Sequence, residues 1–235
     1  MQINTPEWRN LLRREAAACD IDLTDKSLAL LGTFASEMVV WNQKVNLTAI
    51  TDPVEVIEKH ILDSLMPALH LRDTASVLDI GTGGGLPGIP LKIFMPTLKM
   101  TMIDGSRKKI NFVKYIIRQL GIVAAEAKHI RAEELASMAA YQQVYDVVIC
   151  RAVTSIEKFM VLGTPFLNKG GVMIAMKGPE SSQEPNKFFA CADNTDIRII
   201  PYNLPISGAS RTLVLISPAF FRQNSNKTSG ACKST

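Results

Sequence analysis

Residues 77–90 read VLDIGTGGGLPGIP. An apolar run carries Asp79 near its end, and five glycines follow among small residues and prolines. A strand that runs into a glycine-rich turn and then a helix brings backbone N–H groups toward a ligand. Gly81, Gly83 and Gly85 recur at alternate positions, where side chains would block a close approach. The dinucleotide fingerprint G-x-G-x-x-G does not fit, because its sixth position counted from Gly81 is Leu86. A phosphate loop ends in G-K-[ST], and no such triplet follows. An acidic residue at a strand end followed by G-x-G-x-G suits a ligand with a charged amino-acid end and no pyrophosphate.

Downstream, short apolar runs alternate with amphipathic stretches: SVLDI, LKMTMID, VAAEAKHI, YDVVICRAV and GGVMIAMKG. This texture predicts β-α-β units and a mostly parallel sheet. DIRIIPYNLPISGASRTLVLIS predicts two more strands and a turn, a hairpin that closes a seven-stranded sheet. The second run ends in Asp104, where a carboxylate can accept both hydroxyls of an adenosine ribose; a helix cap is the plainer role. After the third run, Ala132 and Glu133 fall where a loop can meet an adenine edge.

Upstream, residues 6–41 read as helical, with Asp25 able to cap and Leu28, Leu31, Phe34, Ala35, Met38 and Trp41 near a 3.6-residue period. NQKVNLTAITDP breaks the pattern, and a helix over 53–70 opens with Pro53. The expected division is a helical extension over 1–72, a core over 73–218 and a disordered polar tail over 219–235. A polar loop is expected over 179–187.

Composition narrows the class. The chain is 47% hydrophobic and 20% charged, ordinary for a globular protein, and no apolar run approaches the roughly 20 residues that span a bilayer. Its first residues carry charges where a signal peptide is apolar, so a soluble cytoplasmic protein is expected, with no membrane partner. Cys19, Cys150, Cys191 and Cys232 form no C-x-x-C pair, and His60, His70 and His129 have no metal spacing. Free thiols and no metal are expected. The formal charge of +4 permits an anionic partner without demanding one.

WNQKVNLTAI, HILDSL, VLDIGTGGGLPGIPLKI, IDGSRKKINFV, RAEE, DVVICRAV and MKG occur in this order. The chain resembles a class I (Rossmann-like) S-adenosylmethionine-dependent methyltransferase. It is similar in particular to the ribosomal RNA small-subunit methyltransferase G family, also called glucose-inhibited division protein B. The likeness covers about residues 35 to 217. It implies S-adenosyl-L-methionine as cofactor and methylation of N7 of a guanine in 16S ribosomal RNA. The partner is then the RNA or the small-subunit particle, with no DNA expected. It also implies cofactor contacts at Gly81, Leu86, Ala132, Glu133 and Arg151, with Gly83 in the loop and Asp104 in the ribose role. The family's late G-E-R-H is here GASRT: Arg211 matches the arginine, and Thr212 stands at the histidine position.

The chemistry agrees with that acceptor. Guanine N7 has a free lone pair and no proton, so alignment suffices and no general base is needed. The [N/D]-P-P-[Y/F] loop of many amine methyltransferases is absent, NLPI at 203–206 being the nearest string, and no Pro-Cys occurs for cytosine C5 chemistry. Arg151 could face a cofactor carboxylate, an RNA phosphate or a guanine O6. Arg107, Lys114 and Arg118 fall on one helical face, as an RNA-backbone stripe or a solvated face. Trp41 reads as core, and His60 with Asp63 as a local hydrogen bond. A small-molecule methyltransferase and a non-catalytic scaffold on the same fold are the alternatives.

Overall fold

In a computed structural model, the alternation that begins near Ala75 resolves into seven strands; residues 1–151, 155–178 and 196–217 are described. The expected loop over 179–187 and the tail over 219–235 lie outside the described residues, as do Cys191 and Cys232. Strands β1 (Ser76–Ile80), β2 (Lys99–Asp104), β3 (Ala125–His129), β4 (Tyr145–Arg151) and β5 (Leu167–Lys177) pair in parallel. The hairpin β6 (Asp196–Asn203) and β7 (Ser210–Ser217) joins antiparallel, giving the order β3-β2-β1-β4-β5-β7-β6. Val77, Leu78, Val147, Val148 and Ile149 of β1 and β4 are buried. Helices cover both faces of a parallel sheet, so its central strands read as unbroken apolar runs.

The N-terminal part is helical in two pieces. Helix α1 (Pro6–Ala17) stops, and α2 (Asp25–Val45) begins after seven intervening residues. The helical reading over 6–41 holds for both pieces, and the second starts at Asp25, near the cap that the sequence offers. Between them the chain turns at Asp20, whose φ is +57°, and drives Ile21 and Leu23 into the core. The cap is Thr24, whose hydroxyl accepts from the Ser27 amide at 3.1 Å, not Asp25. Helix α2 passes Trp41 and ends at left-handed Asn46.

The helical run over 53–70 forms as expected, with Asp52 accepting from the amides of Val54 and Glu55. It comprises α3 (Pro53–Glu55), a π-helical stretch (Val56–Leu62), α4 (Asp63–Leu65) and a 3-10 end (Met66–His70).

Helices α5 (Gly88–Phe94) and α6 (Arg107–Gln119) pack with α1 and α2 in one hydrophobic cluster, and α7 (Ala132–Ala136) and α8 (Ile156–Gly163) in another. In α6 the buried Ile110, Phe112, Val113 and Ile116 face the sheet and α2, while Arg107, Lys114 and Arg118 face solvent. Burying each of those four side chains stabilises by roughly 1.5–3 kcal/mol, so Ile116→Asp would unseat the helix. Trp41 is half-buried at the margin of the core, where it packs on Phe112 and Tyr115 with ring centroids 5.5 and 5.1 Å away.

Candidate functional site at the carboxyl edge of the sheet

The strand order reverses between β1 and β4, and open α/β sheets bind ligands outside the carboxyl ends of their strands at such a point. The loop after β1 is fastened there. The amides of Gly81 and Thr82 both donate to the Ile103 carbonyl of β2, at 2.9 and 3.0 Å. Asp79 is wholly buried beneath the loop; its Oδ2 accepts from the Thr82 hydroxyl at 2.7 Å and the Gly88 amide at 3.0 Å. The aspartate before the glycines therefore pins both ends of the turn. Burial pushes its carboxyl up to about 7, against the pull of those two donors. Its Oδ1 has no partner among the described residues.

The glycines divide by role. Gly81 and Gly83 have φ of +73° and +55°, and a Cβ on Gly81 would meet nothing within 4 Å, so this backbone faces open space. At Gly88 a Cβ would lie 2.8 Å from both the Asp79 carboxylate and the Met102 sulfur, so that glycine serves packing. Leu86 is partly buried at the far end of the loop, and the Leu86–Pro87 peptide is cis.

Asp104 ends β2. Its Oδ2 accepts from the Gly83 amide at 3.0 Å and its Oδ1 from the Ser106 amide at 2.7 Å. The carboxylate thus anchors the glycine loop and the entry to α6 together, and each oxygen keeps a second lone pair. After β3, Ala132 is buried in the core, while the neighbouring Glu133 is exposed.

Arg151 ends β4, and the hairpin brings Tyr202 and Arg211, paired in register, to the same edge. All three converge on Asp63. The Arg151 and Arg211 Nε atoms each lie 3.7 Å from an Asp63 oxygen, and the Tyr202 hydroxyl donates to Oδ1 at 2.7 Å. Arg151 Nη1 also reaches the Ser64 hydroxyl at 3.5 Å. Burial and the adjacent Asp63 push the Tyr202 phenol well above its ordinary range, so it remains a donor.

The expected hydrogen bond between His60 and Asp63 does not form. His60 turns to Thr48, its Nε2 lying 2.7 Å from the hydroxyl. Burial, and then the charge of Arg151, lower its pKa to about 4, so it is neutral at pH 7. The reason is the backbone. Within the π-helical stretch the Asp63 amide donates to the Glu58 carbonyl, stacking Asp63 over Glu58 and turning both toward the hairpin. Glu58 Oε1 accepts from the amides of Ile206 and Ser207 at 2.8 and 2.6 Å.

Comparison with known proteins decides the family. The profile of the rRNA small subunit methyltransferase G family matches residues 27–198. The ribosomal RNA small subunit methyltransferase G of a Geobacter species is 37% identical over 214 residues, covering 88% of this chain and 96% of the relative. The chain belongs to this family. The Lactococcus lactis methyltransferase G is likewise 37% identical, covering 84% of this chain and 85% of its own. Among solved structures, the S-adenosylmethionine-dependent methyltransferase from Aquifex aeolicus superposes with a TM-score of 0.55 at 14% identity, over 73% of this chain and 96% of that one. The precorrin-6y C5,15-methyltransferase from Geobacter metallireducens gives 0.50 at 12% identity, over 67% and 87%. Both likenesses concern the fold, a class I methyltransferase sheet.

Methyltransferase G family members use S-adenosylmethionine, and the edge fits that group: Gly81 and Gly83 leave bare backbone, and Asp104 beside them keeps acceptor capacity. The structure brings Gly81, Gly83, Leu86, Asp104, Ala132, Glu133 and Arg151 to one edge of the sheet. Asp63, Glu58 and Tyr202 were not foreseen at this edge. Their sequence signal was HILDSL, whose His60–Asp63 spacing suggests a local pair and gives no hint of a partner near residue 202. Thr212 lies in β7 opposite Lys177 and Pro201. Among the described residues no helix is long and apolar enough to cross a membrane.

Proposed function

We propose that the protein transfers a methyl group from S-adenosylmethionine to N7 of a guanine in 16S ribosomal RNA, acting in the cytoplasm on that RNA or on the small-subunit particle that carries it. The observation that carries this reading is the family match from α2 through β5, which includes every residue of the glycine loop. When bound, the cofactor supplies an electrophilic methyl on a sulfonium. We assign Gly81, Gly83 and Leu86 to the loop that receives it, Asp104 to its ribose, Ala132 and Glu133 to its adenine and Arg151 to its charged amino-acid end. The chain's work is then alignment. Asp79 and Asp104 hold the loop rigid, so the acceptor meets a fixed partner at near-attack distance. N7 sheds no proton on attack, and the site needs no base.

Residues 1–72 act as a helical extension on a methyltransferase core of 73–218. The exposed Arg107, Lys114 and Arg118 on α6 form a stripe leading from the Asp104 end of the site. At 1.5 Å per residue it runs about 17 Å, long enough to follow several phosphates. The test is transfer of labelled methyl to small-subunit RNA made with guanine or with 7-deazaguanine, which has carbon at position 7. Label should enter the first RNA and not the second; label in the 7-deaza RNA would place the acceptor at another atom.

A further inference from the structure

The Asp63 cluster has an unbalanced composition. Two guanidiniums face one carboxylate, and their side chains are only 22% and 16% exposed. The Nε contacts are long, and among the described residues neither Nη2 has a hydrogen-bond partner. Arg151 spends Nη1 on Ser64, and Arg211 spends its own on the Ser210 carbonyl. The cluster therefore holds surplus positive charge and unspent donors in a partly desolvated place, an arrangement that favours an incoming anion.

Position in the sheet separates the two arginines. Arg151 stands on β4, next to the strand that feeds the glycine loop. Arg211 stands on β7, three strands from β1 and on the side away from Asp104. At roughly 4.8 Å per strand its backbone lies about 14 Å from the β1 line. That position sets the Arg211 strand apart from the glycine loop and the Asp104 end, while the Arg151 strand adjoins them. Asp63 is itself held on two sides, by the Tyr202 hydroxyl and by the π-helical stacking over Glu58, whose carboxylate grips the hairpin turn.

We propose that Arg211 binds an RNA phosphate beside the target nucleotide, and that Asp63, fixed by Tyr202, is the positioning residue that aims it. The proposal rests on the ribosomal RNA reading given above. Arg211 makes the contact through its open fork, and Asp63 keeps that fork and the Arg151 guanidinium at a fixed separation. Charge and aim are then divided between residues, and the two can be removed separately.

The experiment measures methylation of small-subunit RNA by wild type, Arg211→Ala, Arg211→Lys, Asp63→Asn and Tyr202→Phe, with melting temperatures and S-adenosylmethionine affinity by calorimetry. Arg211→Ala should raise KM for RNA at least tenfold and flatten the salt dependence of RNA binding by about 0.7 in slope, one phosphate's share on a single strand. Cofactor affinity should stay within twofold. Arg211→Lys should restore the slope but only part of KM, since an ammonium lacks the fork. Asp63→Asn should lower kcat at least tenfold without flattening the slope, because both guanidiniums remain but lose their aim. Tyr202→Phe, the milder change should Asp63→Asn fail to fold, should lower kcat in the same direction. An Arg211→Ala enzyme with wild-type KM and slope overturns the proposal, as does a Tyr202→Phe enzyme with unchanged kcat. Wild-type protein that leaves small-subunit RNA unmethylated both free and in the particle overturns the RNA reading instead.

Discussion

The glycine loop and the Asp63 cluster lie at the ends of neighbouring strands, yet opposite means hold them. Asp79 reaches only three and nine residues along the chain, to Thr82 and Gly88, and Asp104 reaches 21 back to Gly83. In the cluster, Tyr202 is 139 residues from Asp63, and Ile206 and Ser207 are 148 and 149 from Glu58. The loop is built by one stretch of chain on one strand end. The cluster exists only because the sheet brings distant segments together. Damage to the first should therefore show in cofactor binding, and damage to the second in RNA methylation and in the docking of the hairpin, with cofactor affinity kept.

The largest effect should come from Gly83→Asp. A carboxylate would enter beside Asp104 at a left-handed position whose amide that residue already holds. S-adenosylmethionine affinity should fall at least ~100-fold, about 2.7 kcal/mol, with the fold kept; near-normal calorimetric binding would remove this loop from the cofactor site. Asp104→Ala should weaken binding by ~1–3 kcal/mol, because the Gly83 and Ser106 amides lose a charged acceptor.

Glu58→Ala should leave cofactor affinity alone and lower stability by about 2 kcal/mol, since two amides of the hairpin turn lose their acceptor. A melting temperature lowered by roughly 4–8 °C is expected. A change in cofactor affinity instead would couple the two regions and break the contrast between them.

The last expected effect is one of pH. The Asp79 carboxyl, at about 7, sits above its ordinary value of 3.8, so the folded chain binds that proton more tightly than the unfolded one. Its contribution is complete below about pH 4 and is lost as pH rises through 7, at no more than about 1.4 kcal/mol per pH unit. Asp79→Asn should flatten this dependence in melts run from about pH 5 to pH 8. Parallel curves for the two proteins would assign the proton elsewhere.

The same contrast decides what could be read before the structure. Alternating apolar runs predict the strands because covered parallel strands must be apolar on both faces, and VLDIGTGGGLPGIP exposes its loop because only glycine leaves backbone bare. The ends of the second and third apolar runs brought Asp104, Ala132 and Glu133 to attention, and the family likeness added Leu86 and Arg151. The Asp63 cluster stayed hidden for a physical reason. HILDSL straddles the end of a π-helical turn, which shifts Asp63 out of the phase that a 3.6-residue pattern describes, and the partner of Asp63 lies beyond residue 200. Asp25 marked a possible helix start, but the turn before it was not legible, because the apolar pattern continues through Ile21 and Leu23, which are buried by a turn and not by a helix.

The order of strands has a consequence for synthesis. β7 lies between β5 and β6, so a chain made only as far as β5 has nothing to place against that strand. Met173, Ile174, Ala175 and Met176, buried in the finished fold, would then belong to an open edge of unpaired amides and carbonyls. Such an edge is a template for other strands. Products cut short before the hairpin should clump and be cleared by proteases even though they carry the whole glycine loop. The hairpin is thus also the protein's guard against aggregation, and its arrival marks when a nascent chain becomes safe to release.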